Sequence, residues 1–141
     1  MMVRKNKEKV SKPQMKKIFN VGLIGCGHIA ETYFRAHKYF NNFKIIKCAD
    51  INTRAAKICA KTYKIVSSSV KEILKDKNVD IILNLTIPKA HYSVSKKAIL
   101  NGKHVYSEKP LATNFSDGKK LIKLAKQRKL FIGNAPDTFL G

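Results

Sequence analysis

Beyond a polar opening, apolar positions in this chain fall into two alternating rhythms. Short apolar runs predict six strands, at 18–24, 43–49, 64–66, 80–85, 103–107 and 130–135. Between them, helically spaced apolar positions predict helices over 29–40, 53–63, 70–75, 89–101 and 114–129. The punctuation agrees. Asn41-Asn42 is a stop signal, Ser67-Ser68-Ser69 offers a turn and an N-cap, Gly102 suits a C-cap, and Asn114 can cap the last helix with Asp117 in its first turn. The run Asp80 to Leu85 is nearly continuous in apolar side chains, as in strands buried on both faces of a parallel sheet. Strand and helix alternate throughout, which predicts βαβ units and an α/β fold with a doubly wound parallel sheet, a single domain over 18–141. Residues 1–17 are basic, non-periodic and interrupted by Pro13, and read as a disordered arm.

The first strand runs into Gly25-Cys26-Gly27-His28-Ile29-Ala30 and then a helix, the context that gives a G-x-G-x-x-A pattern its meaning. Gly25 permits the tight turn. Gly27 lets a pyrophosphate approach the backbone, and Ala30 lets the helix pack close to the strand. His28 and Ile29 open the helix beside the phosphates, whose charge its N-terminus favours. Asp50 ends the second strand, about twenty residues after Ala30. A Rossmann-type dinucleotide fold uses an acidic residue there to accept hydrogen bonds from the adenosine ribose. Its carboxylate disfavours a 2′-phosphate, so NAD is expected over NADP; a capping role for the next helix is the other reading. Arg54 is near enough to lie over the adenine or pair with Asp50, and NADP is tolerated if Arg54 reaches a 2′-phosphate.

Composition changes this picture little. A chain of 141 residues with 44% hydrophobic content can bury a real core. No apolar run approaches a membrane span, and no secretory signal follows the charged first residues. Cys26, Cys48 and Cys59 form no C-x-x-C pair; they suit a reducing, cytoplasmic setting as small buried side chains, and no metal site is expected. The formal charge is +20, but the lysines are spread along the chain without an aromatic-interleaved stripe. Specific nucleic-acid binding is therefore not expected, although weak salt-sensitive attraction to polyanions is.

Three further motifs follow: Asn84-Leu85-Thr86-Ile87-Pro88-Lys89-Ala90-His91, then Gly102 to Ala112 (GKHVYSEKPLA), then Asn134 to Gly141 (NAPDTFLG). With the glycine loop, they resemble the nucleotide-binding half of the Gfo/Idh/MocA oxidoreductases, the glucose–fructose oxidoreductase and inositol dehydrogenase group. The resemblance covers 18–141. It implies that Thr86 and Pro88 lie along the cofactor with His91 near them, unless His91 is simply a helix-face histidine. Glu108 would hold the nicotinamide-side ribose, and Pro110 would fix the turn that follows. Lys109 would be the active-site lysine, donating to the reacting hydroxyl or carbonyl oxygen. A positive nicotinamide ring beside it favours the neutral amine, the form that can take a proton near neutral pH.

The resemblance also implies a second domain carrying the sugar pocket and the oligomer interface, which this sequence does not contain. The expectation is a truncated NAD(P)-dependent dehydrogenase acting on a sugar- or cyclitol-type hydroxyl. A standalone NAD-binding or regulatory module, and a basic nucleic-acid-associated protein with a residual dinucleotide fold, are the alternatives. An apolar sheet face normally covered by the second domain is expected to be open.

Overall fold

A computed structural model describes residues 17–136. The elements are β1 (Phe19–Ile24), α1 (His28–His37), β2 (Phe43–Ala49), α2 (Thr53–Tyr63), β3 (Val66–Ser67), α3 (Val70–Lys75), β4 (Ile81–Asn84), α4 (Pro88–Leu100), β5 (His104–Ser107), α5 (Phe115–Gln127) and β6 (Ile132–Asn134). The strands form one all-parallel sheet in the order β3-β2-β1-β4-β5-β6. This is the doubly wound α/β arrangement, with the strand order reversing between β1 and β4. Of the expected arm, only Lys17 falls among the described residues, where its Nζ meets Asp80 at 3.0 Å. Most of the third motif, 137–141, also lies outside them.

Helix ends follow their caps. Asn52 accepts from the N–H groups of Arg54 and Ala55, Ser69 forms a reciprocal capping box with Glu72, and Asn114 accepts from Asp117. Several expected elements are shorter at their ends, four of them for a local reason that the backbone shows. α1 stops at His37 because the chain tightens into three-residue turns, Tyr39 N to Ala36 O at 3.0 Å and Phe40 N to His37 O at 3.2 Å. α2 ends on Lys64 in the left-handed region (φ 55°), with Ile65 N bonded back to Ala60 O, so β3 starts at Val66 rather than at Lys64. Lys129 (φ 56°) and the Leu130 N bond to Ala125 O end α5 in the same way and delay β6.

Because strand side chains alternate between faces, the sheet carries two cores. On one face α1 and α2 bring Ala30, Phe34, Cys59 and Ala60 against Val21, Leu23, Cys48 and Leu83. On the other, α3, α4 and α5 bring Ile73, Ile99, Leu121 and Ala125 against Ile24, Ile82 and Val105. On the first face Tyr106 of β5 stays exposed, although Tyr33 of α1 reaches it edge to face. An apolar cleft of about 360 Å³ opens there between Tyr33, Phe40, Phe43, Ile81, Leu83 and Tyr106.

Opposite the carboxyl ends of the strands, polar groups tie the loops. Lys103 is buried and donates from Nζ to the carbonyl oxygens of Asp76 (2.6 Å) and Val79 (2.7 Å); burial pushes its pKa down despite the nearby aspartates. Asp80 accepts from Asn20 N at 2.9 Å, the main reason its carboxyl is held below the usual range. Asp76 is held down first by Lys47, and Glu72 by the backbone N–H of Ser69. All three carboxyl pKa values are depressed by folding. Their stabilisation is therefore present at neutral pH and lost as pH falls through the carboxylate range, below about 4. The thermal midpoint measured from neutral pH down to about pH 3 is expected to fall, and Asp80→Asn should flatten that fall. A midpoint independent of pH would remove these carboxylates from the account.

Candidate functional site

At the switch point the turns after β1 and β4 touch. Gly25 has φ +105°, a region that favours glycine. A Cβ there would lie 2.5 Å from the Leu85 carbonyl carbon and oxygen and 2.8 Å from Thr86 N, all backbone atoms. Gly25 N donates to Ala49 O at 2.9 Å, and Leu85 N donates to Ile24 O at 2.8 Å. The crossing is therefore tied to strands on both sides.

Gly27 is the N-cap of α1 in extended conformation (φ −78°, ψ −169°), and a Cβ there would meet nothing within 4 Å. No side chain caps α1 or, where Pro88 takes the first turn, α4; α2, α3 and α5 each begin on a capping side chain. The first N–H groups of α1 thus face a space that no capping side chain fills, an arrangement suited to an anion. His28 and Ile29 are exposed at this end, and Ala30 is buried against the sheet.

Asp50 sits just past β2, with both carboxylate oxygens engaged. Oδ2 accepts from Cys26 N at 2.7 Å and Oδ1 from Asn52 N at 2.8 Å. It is not the cap of α2, which is Asn52. Asp50 instead holds the glycine turn against the end of β2. Each oxygen keeps further acceptor capacity. Arg54 is exposed on the first turn of α2, and among the described residues it makes no ion pair with Asp50; the pairing expected at helix spacing is not formed.

The second half of the site is built on Asn84, fully buried at the end of β4. Its Nδ2 donates to His91 O (3.1 Å) and Ser95 Oγ (2.9 Å), and its Oδ1 accepts from Thr86 Oγ1 (2.7 Å). Its backbone oxygen accepts from Glu108 N at 2.9 Å, joining the turns after β4 and β5. Pro88 opens α4 at its first turn. His91 is 1% exposed, with Nδ1 2.5 Å from Pro110 O and Nε2 2.7 Å from Thr86 O. Both ring nitrogens thus lie against backbone carbonyl oxygens, and the tautomer decides which of them donates. His91 is therefore neither a free helix-face residue nor a ring nitrogen open to a ligand. It braces the Thr86 turn against the Pro110 turn from below.

Glu108 is half-buried and Lys109 exposed, and the Lys109–Pro110 peptide is cis. Glu108 Oε2 accepts from Lys109 N at 3.1 Å, and Oε1 accepts from Tyr33 OH at 2.9 Å. Burial and that carboxylate push the Tyr33 hydroxyl well above its ordinary pKa, so Tyr33 stays a donor. Asn134 Nδ2 donates to the carbonyl oxygens of Ser107 and Glu108 at 3.1 and 3.0 Å, which brings β6 to the same turn.

Asn84, Tyr33 and Ser95 have no assigned role in the sequence reading. Tyr33 and Glu108 are separated by 75 positions, and only the sheet order brings α1 to the end of β5. For Asn84 a signal was present: an amide ending an otherwise apolar buried strand must find partners.

Cys26, Cys48 and Cys59 also converge. Their Sγ atoms all lie within 4.8 Å of one another. Cys48 is held below its ordinary pKa, first by the hydrogen bond from Cys26; the same bond is the main reason Cys26 is raised, and burial the main reason Cys59 is. Cys26 and Cys59 line a cleft of about 400 Å³ between α1 and α2, with Gly27, His28, Ala55 and Tyr63 on its other walls.

Residues 19–134 match the model of an oxidoreductase family with an NAD-binding Rossmann fold, GFO_IDH_MocA. The chain is 32% identical over 122 residues to the uncharacterized protein YMR315W of Saccharomyces cerevisiae, covering 82% of this chain and 35% of that one. It is 24% identical over 119 residues to an inositol 2-dehydrogenase/D-chiro-inositol 3-dehydrogenase of Lacticaseibacillus casei, covering 80% and 34%. The crystal structure of GenD2 from gentamicin A biosynthesis, in complex with NAD, shares the fold with a TM-score of 0.80 at 18% identity, over 96% of this chain and 37% of that one. The chain thus spans about a third of the length of these relatives.

Proposed function

The chain belongs to the Gfo/Idh/MocA oxidoreductase family, and on that footing we propose that it is the cofactor-binding half of an NAD-dependent dehydrogenase. Its substrate would be a sugar- or cyclitol-type hydroxyl or carbonyl, and its substrate pocket would lie in a further domain. The observation that carries this reading is the uncapped N-terminus of α1 beside Gly27, with Asp50 fastened to the same turn.

Gly25, Gly27, His28, Ile29 and Ala30 form the pyrophosphate cradle. Asp50 accepts from the adenosine ribose, with Arg54 exposed beside the adenine. Thr86 and Pro88 line the middle of the cofactor, His91 holds their turn to Pro110, and Glu108, steadied by Tyr33, accepts from the nicotinamide-side ribose. When bound, NAD supplies the hydride acceptor. Lys109 takes the hydroxyl proton as the carbon is oxidised and returns it to the carbonyl oxygen in reduction. Three free thiols suit a reducing compartment such as the cytoplasm. Among the described residues no helix is long and apolar enough to cross a membrane.

The cofactor reading is tested by the ratio of two affinities. A carboxylate at the ribose favours NADH over NADPH, so Asp50→Asn should shift that preference toward NADPH by at least about tenfold, or about 1.4 kcal/mol. Fluorescence titration with both nucleotides gives the ratio. A variant that merely loosened the glycine turn would weaken both equally. An unchanged ratio, or no saturable binding by the parent, defeats the assignment of Asp50.

A further inference from the structure

Cys26, Cys48 and Cys59 are widely spaced in sequence and lack any ligand motif. Three separate elements bring them together. Cys48 is the penultimate residue of β2, paired with Leu23 in the parallel register. Cys26 follows the end of β1, so the two sit at the carboxyl ends of adjacent strands. Cys59 comes down from the inner face of α2. Among the described residues this is the group of His, Cys, Asp and Glu side chains whose donor atoms converge as a metal's ligands would.

We propose that the three thiols form a binding site for a soft d10 cation, the class to which Cu⁺ and Cd²⁺ belong. The geometry allows it. For a triangle with edges of 4.8 Å, the centre lies at most about 2.8 Å from each sulfur, and contraction to metal–thiolate bonds of about 2.3 Å moves each atom by roughly half an ångström. The donor set selects the ion. Three thiolates without a nitrogen or carboxylate ligand suit soft cations over Mg²⁺ or Ca²⁺. Zn²⁺ fits if a water from the cleft supplies its fourth ligand. Each coordinating thiol releases its proton, and the bound ion takes the place of the protons removed.

Access is also in place. Cys26 is half-exposed and, with Cys59, lines the cleft between α1 and α2, which gives the ion a route in from solvent. Cys48 is fully buried, and its Sγ lies 3.4 Å from Ala56 O; Cys26 Sγ lies 3.6 Å from Ala49 O. Both sulfurs donate their S–H to these carbonyl oxygens, bonds that are given up as the thiols lose their protons to the ion. The site does not depend on the cofactor reading, although Cys26 lies between the two glycines of the cradle.

The test is a titration of the reduced chain with Cd²⁺ alone, without nucleotide, followed by the sulfur-to-cadmium charge-transfer absorption in the ultraviolet. The expected result is saturation at one equivalent. Cys26→Ser, at a half-exposed turn position, and Cys59→Ser, on the opposite side, should each lower the affinity by more than about 100-fold. Far-ultraviolet circular dichroism identifies which variants remain folded, and a folded variant of either kind decides the matter. No saturable band in the parent overturns the proposal, and so does an affinity unchanged in a folded variant.

Discussion

Gly25→Ala is expected to cost the chain a large share of its stability, while Gly27→Ser leaves stability intact and weakens cofactor binding. The two glycines belong to one motif but carry different constraints. At Gly25 the backbone is at φ +105°, and the new methyl would sit 2.5 Å from the Leu85 carbonyl. Neither neighbour is the end of a flexible side chain, so the turns after β1 and β4 must separate. Strain at such a φ costs about 1–3 kcal/mol and overpacking a similar amount. Against a typical total of about 5–15 kcal/mol, the thermal midpoint should drop by more than about 10 °C.

Gly27 has ordinary extended dihedrals and open space around its missing Cβ. Serine there can cap α1, which is worth a few tenths of a kcal/mol over glycine. The same hydroxyl fills the space, and takes up the N–H groups, that a pyrophosphate would use. NADH affinity should therefore fall by at least about tenfold, or about 1.4 kcal/mol, while the midpoint holds or rises slightly. Thermal melts and NADH titration of both variants check the pair. A Gly27→Ser chain that binds NADH like its parent would remove the cradle from the site. A Gly25→Ala chain of normal stability would show that the two turns can part freely.

The contrast also shows what a sequence discloses. Both glycines stand out by spacing, because a strand followed by a tight turn and a helix has few chemical solutions. The same holds for β2, α2 and α3, whose limits match the pattern of apolar residues and caps: Phe43–Ala49, Thr53–Tyr63 and Val70–Lys75. The expected length of α1 failed because Tyr39 and Phe40 continue an aromatic stretch while the backbone has already tightened. Apolar periodicity records which side chains want burial. It does not record where the last four-residue hydrogen bond falls.

The supporting contacts were harder to see, for a different reason. His91 stands in a recognisable motif, but its partners, Pro110 O and Thr86 O, are backbone atoms that carry no sequence signature. The three cysteines have no spacing that marks them, because their meeting depends on the register of β1 against β2 and on the inward face of α2. Parallel pairing puts the carboxyl ends of β1 and β2 side by side, so once the sheet order is known the approach of Cys26 and Cys48 follows. Motif positions were legible as types of residue. The network that orients them was legible only through topology.

In the complete enzyme, Lys109→Ala is expected to lower turnover by about 10²–10⁴-fold, the range for a positioned proton-transfer group, while NADH affinity stays within about threefold. The separation follows from how the turn is built. Glu108 is held by Tyr33 through one carboxylate oxygen and by the backbone N–H of Lys109 through the other, and the substitution removes neither donor. The turn's attachment to Asn84 and His91 also runs through backbone atoms, Glu108 N and Pro110 O. The proposed ribose contact at Glu108 therefore survives when the ammonium is lost. What disappears is the group proposed to take the hydroxyl proton during hydride transfer. Steady-state rates and NADH titration on the same preparation give both quantities. Turnover within about tenfold of the parent would reassign the proton to another residue, in this half or the other. An equal loss of NADH affinity and turnover would make Lys109 a cofactor ligand and not the acid–base group.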